Sequence, residues 1–88
     1  MVERDHNTTV TITVAARRVG LSPCTVRRYV RRGLLAEALT EDELAELRRI
    51  RRLTELGINL AGVEVILSMR RQIEQLRAEV ARLEALLR

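Results

Sequence analysis

The sequence predicts an all-α chain of three short helices followed by one long helix. Three features carry that expectation. Gly20, Gly33 and Gly57 fall where helices stop, while Ser22-Pro23, Thr40 and Asn59 fall where helices start. From Ile66 onward the apolar residues repeat in heptad steps without a break. One stretch, residues 9–14, alternates as a strand would, and a strand with no neighbour is not stable by itself.

Residues 1–10 read as a flexible tail. The run Thr-Val-Thr-Ile-Thr-Val at 9–14 is a short strand by its period of two and its β-branched residues. Thr13 is the expected N-cap of a first helix over 14–19, closed by Gly20. Ser22 then caps a second helix that runs to Arg32, with Pro23 at its first position and Gly33 as its stop. A turn of about four residues containing a glycine joins the two helices, which is the spacing of a helix-turn-helix. Thr40 and Glu43 have the spacing of a capping box for a third helix ending near Leu56, with Leu44, Leu47, Ile50 and Leu53 on one side. Asn59 caps the fourth helix, which begins at Leu60 and continues nearly to the end of the sequence. Gly62 costs about 1 kcal/mol there relative to Ala, so close packing of another helix against it is expected.

The last helix carries Ile66, Met69, Ile73, Leu76, Val80, Leu83 and Leu87 along one narrow seam. β-Branched residues occupy the a positions as far as Val80, and Met or Leu the d positions, the combination that favours two strands. A homodimer is expected. In a parallel pair Glu79 would face Glu84 of the other copy. An antiparallel pair centred near Ala78 brings Arg70 towards Glu84 instead. The preference is for antiparallel pairing, by tenths of a kcal/mol per exposed pair.

Composition narrows the function. With 88 residues the chain holds one small domain and an appended helix, and its 47% apolar and 32% charged residues are ordinary for a folded chain. Tyr29 is the single aromatic residue, which excludes a platform for stacking unpaired bases. One cysteine builds no disulfide framework, the opening residues do not form a signal peptide, and no apolar run reaches ~20 residues. A cytoplasmic location follows as the expectation. His6 and Cys24 stand apart from any ligand cluster, so no metal, no cofactor and no enzymatic activity are expected. Cys24 reads as a small packing residue, with redox sensing beside the arginines as the sharper alternative.

Charge is distributed unevenly. Residues 1–35 hold seven Arg and two acids, whereas residues 36–88 hold nine Arg and ten acids. Between residues 17 and 32 there are six Arg and no acid. A solvated face normally mixes signs, so this block reads as an anion-binding surface centred on the second helix. By helical geometry Thr25, Arg28, Arg32 and Tyr29 share one broad face, with Val26 and Val30 turned to the core. A capped helix offering Ser, Thr and Arg suits phosphates and guanine edges in a major groove.

Val14-Ala15-Ala16, Gly20-Leu21-Ser22-Pro23, Thr25-Val26-Arg27-Arg28-Tyr29 and Gly33-Leu34-Leu35 resemble the N-terminal half of MerR-type winged-helix regulators. The run from Leu56 to Val63, with Asn59-Leu60-Ala61-Gly62 at its centre, is similar to the branch holding HspR, CbpM and DafA. The resemblance implies a MerR-like helix-turn-helix domain over 11–67, with a dimerisation coiled coil over 68–88. It further implies a dimeric repressor or activator on promoter DNA, with Arg27 and Tyr29 at contact positions and antiparallel last helices. The candidate DNA-binding set is therefore Arg17, Arg18, Ser22, Thr25, Arg27, Arg28, Tyr29, Arg31 and Arg32. Two departures stand out. Val30 replaces the Glu usual after the Tyr, and only Ala36-Glu37-Ala38-Leu39 remain of the wing. The reduced wing opens an alternative that the same branch implies: a chaperone modulator binding a J-domain protein or Hsp70 (DnaK).

Overall fold

The computed structural model describes residues 8–88; His6 and most of the expected tail lie outside the described residues. Four helices are present among the described residues: α1 (Ile12–Val19), α2 (Pro23–Arg31), α3 (Glu41–Glu55) and α4 (Leu60–Leu86). The chain is all-α, as its punctuation implies.

The first element differs most from expectation. The stretch 9–14 is not a strand, and helix α1 begins at Ile12 with Thr11, not Thr13, as its N-cap. The Thr11 hydroxyl accepts from the Val14 backbone N–H at 3.2 Å. Two periodicities compete over these residues. Alternation needs a ladder, and Leu39 alone supplies one: the Val10 N–H donates to the Leu39 carbonyl at 2.9 Å in a single antiparallel bridge. The helical set Ile12, Ala15, Ala16 and Val19 has a whole core to join, and it prevails. Val10, counted with the tail by sequence, is thus tied to the folded unit.

Gly20 ends α1 at φ +82°, and the N–H groups of Gly20 and Leu21 both reach the Ala16 carbonyl. The left-handed backbone favours glycine there, and an added Cβ would also push the Arg51 guanidinium aside. That guanidinium donates to the Val19 carbonyl, so α3 fastens the turn between α1 and α2. Helix α2 starts at Pro23 as expected and stops one residue early, with Arg32 as its C-cap.

The residues expected to form a reduced wing lie in the loop over 33–40. Its Leu34, Leu35 and Leu39 are buried in the core, and Ala36 donates its N–H to Glu43 Oε2 at 2.9 Å. The expected capping box is therefore half formed. Thr40 Oγ1 accepts from the Glu43 N–H at 3.4 Å, while the Glu43 carboxylate is diverted to the loop.

Leu44, Leu47 and Ile50 of α3 form the centre of the core, between α1 with α2 on one side and the start of α4 on the other. Val63 and Leu67 are the buried residues of α4. Gly62 is hemmed in by Ile58 of the preceding turn, whose Cγ2 would lie 2.8 Å from an added Cβ; no second helix packs there. Beyond Leu67 every residue of α4 is exposed in the single chain.

Candidate nucleic-acid interface

The exposed face of α2 follows from what its core face takes. Val26 and Tyr29 are buried and Val30 is half-buried. The residues left outside at helical spacing are Cys24, Arg27, Arg28 and Arg31. This corrects the expected face in two places. Tyr29, only 3% exposed, turns towards Val26, and Cys24 sits on the surface instead of packing. The Arg28 guanidinium lies 5.8 Å from the Tyr29 ring centroid, so the ring supports a neighbouring cation from below.

The nine candidate residues separate by their partners. Arg27, Arg28 and Arg31, with Arg17 on the adjoining α1, are exposed and make no ion pair among the described residues. Arg18 is engaged in a two-pronged pair with Glu41 at 3.1 and 3.3 Å, joining α1 to α3. Arg32 donates to Glu64 at 2.7 Å, joining the end of α2 to α4. Ser22 and Thr25 serve the helix start: Ser22 Oγ accepts from the Thr25 N–H at 3.1 Å, and the two hydroxyls lie 2.8 Å apart. The candidates therefore comprise a free basic cluster, two interhelical clasps and a cap.

Sequence reasoning missed Glu41, Glu64 and Arg51 as the groups that position this surface. Glu41 was visible as an acid in the first turn of a helix. Nothing local marks Glu64 or Arg51, because each acts across 32 residues of sequence.

The seam residues also lie where their spacing puts them. Ile66 is half-buried beside α3. Met69, Ile73, Leu76, Val80, Leu83 and Leu87 are exposed, from 47% for Ile73 to 87% for Leu87. No helix among the described residues is long and apolar enough to cross a membrane.

The sequence profile described as MerR HTH family regulatory protein matches residues 10–70. A Streptomyces coelicolor protein provisionally named heat shock protein HspR is 36% identical over 85 residues, an alignment covering 86% of this chain and 56% of that relative. The chain thus spans little more than half the length of the relative it matches. No solved structure gives a significant match. With its four-helix order, its turn closed at Gly20 and a family match over most of its length, the chain belongs to the MerR helix-turn-helix family.

Proposed function

We propose that this chain is a sequence-specific, DNA-binding transcriptional regulator that acts as a homodimer and serves the heat-shock response. The observation that carries the reading is the set Arg27, Arg28 and Arg31: exposed, without an ion pair among the described residues, and held by a helix whose other side is locked into the core. Arginines with no acid beside them retain their full attraction for phosphates, and α2 has the dimensions to enter a major groove. The name of the Streptomyces relative supports the heat-shock link.

Salt dependence of duplex binding tests the reading. Each phosphate neutralised adds roughly −0.9 to the slope of log affinity against log salt, so a dimer with two such clusters gives a steep line. Arg27→Ala flattens that slope and weakens binding to every duplex, and it blunts sequence preference where Arg27 reads a base. A flat salt response for the unmodified protein would sink the proposal.

A second reading rests on the loop over 33–40. Its leucines face the core and Glu43 holds Ala36, so the place of a wing is taken by a closed loop. A chain with so reduced a wing suits a chaperone modulator that binds a J-domain protein or Hsp70. Association with either partner that persists after Arg28 and Arg31 are replaced by Gln favours this second reading.

A further inference from the structure

Two of the arginines between residues 17 and 32 are met by acids from distant parts of the chain. Glu41 of α3 reaches Arg18, and Glu64 of α4 reaches Arg32. The two pairs differ in build. Arg18 and Glu41 are bonded through both prongs and tie α1 to α3. Arg32 and Glu64 are joined at one point, Nε to Oε1 at 2.7 Å, with side chains 44% and 41% exposed. This second pair lies at the edge of the free cluster, because Arg28 is one helical turn before Arg32 and Arg31 precedes it directly.

Glu64 is held at that edge. Val63 beside it is fully buried and Leu67 is 1% exposed, so the first turns of α4 are fixed in the core. A pair this open is weak, and a phosphate can draw the Arg32 guanidinium away from it. Glu64 then stays behind as a bare anion near the same phosphate. Whether Arg32 remains or swings, the two residues together add no net charge at that end of α2. Attraction to phosphate is the same at every sequence, so it holds a regulator on wrong sites as firmly as on right ones. An acid that offsets part of it shortens every stay and leaves the base contacts to decide.

We propose that Glu64 is a positioning residue for nucleic-acid binding: by holding and offsetting Arg32, it limits how strongly the basic face of α2 attracts a phosphate backbone. Arg32 is thereby a reserve cation, present on the face but cancelled. The inference deepens the DNA-binding reading and rests on it.

The test is the salt dependence of binding to a short duplex of mixed sequence. Glu64→Gln keeps an oxygen to accept from Arg32 and removes only the charge, so thermal melting should show the fold retained. Its line of log affinity against log salt is expected to steepen by roughly 0.9 per protomer. A tenfold dilution of salt then strengthens binding about eightfold more, per protomer, than it does for the unmodified protein. Adding Arg32→Gln to Glu64→Gln returns the line to that of the unmodified protein. Glu79→Gln is the matched control, because it too frees an arginine, Arg82, by the same change of charge. It lies about 22 Å along α4 from Glu64, well beyond the ~8 Å screening length at physiological salt, and it should leave the line in place. A flat line for the unmodified protein overturns the DNA-binding reading itself. With a steep line for the unmodified protein, three results overturn the role of Glu64 alone. They are no change with Glu64→Gln, an equal change with Glu79→Gln, and a gain that survives the added Arg32→Gln.

Discussion

On α2 the arginines stand without acids, whereas on the distal part of α4 they stand beside them. Arg70 pairs with Glu74 at 3.3 Å and Arg82 with Glu79, while Arg27, Arg28 and Arg31 have no such neighbour. The apolar residues are arranged the other way round. Val26 and Tyr29 of α2 are buried within the chain, and Met69, Leu76 and Val80 of α4 are left to solvent. One helix holds unspent charge and the other unspent apolar surface. A surface with excess positive charge is satisfied by a polyanion, and an exposed apolar stripe by another apolar stripe. The two helices therefore suit chemically different partners, in keeping with the proposed pairing of one short chain with another copy and with a nucleic acid.

The sharpest way to break this contrast is to put charge into the seam. In the proposed antiparallel homodimer Leu76→Arg buries a cation against Val80 of the other copy, twice per dimer, and it should raise the dimer dissociation constant by at least about a hundredfold. Sedimentation reads that directly, with α2 untouched.

Next in size is the ring beneath the basic face. Tyr29→Ala empties a buried site and should cost about 3 kcal/mol in urea unfolding. Tyr29→Phe keeps the ring and the core, so stability should stay within ~0.5 kcal/mol, because it removes only a hydroxyl with no protein partner among the described residues. If that hydroxyl meets DNA, duplex affinity falls while the melting curve does not.

The smallest effect separates two arginines four residues apart. Arg32→Gln removes the pair with Glu64, whose side chains are 44% and 41% exposed, and should cost a few tenths of a kcal/mol at low salt. That cost should fade near ~1 M salt, where the screening length is ~3 Å. Arg28→Gln should leave stability alone and lower the salt slope of duplex binding. Equal stability losses for both would mean that Arg28 is structural as well.

Much of this arrangement could be read from residue order. The caps at Ser22, Thr40 and Asn59 and the stops at Gly20, Gly33 and Gly57 are local chemistry, and local chemistry is legible. So is the seam, because a heptad repeats often enough to be unmistakable. What was not legible depended on partners distant in sequence. The segment 9–14 carried both a strand period and a helix period, and only the core at Leu44, Leu47 and Ile50 decides between them. Tyr29 was assigned to the wrong side of α2 because helical spacing places it between the two faces, and burial resolves the choice. Arg18 and Arg32 looked like members of one basic block until Glu41 and Glu64 came alongside. The free part of the site, Arg27, Arg28 and Arg31, was legible as a block but not as a separate cluster.

Helix α4 runs without interruption from Leu60 to Leu86, 27 residues, or about 40 Å at 1.5 Å per residue, with Val63 and Leu67 in the core at its near end. It acts as a drive shaft. Its near end is pinned to α2 through Glu64 and Arg32, so in the proposed homodimer the angle at which two such helices meet would set the angle and separation of the two α2 helices. A single residue inserted near Gln72 would turn Ile73 and everything beyond it by about 100° relative to Ile66 and Met69, splitting the seam between two faces of the helix while the folded unit around Val63 and Leu67 stays intact.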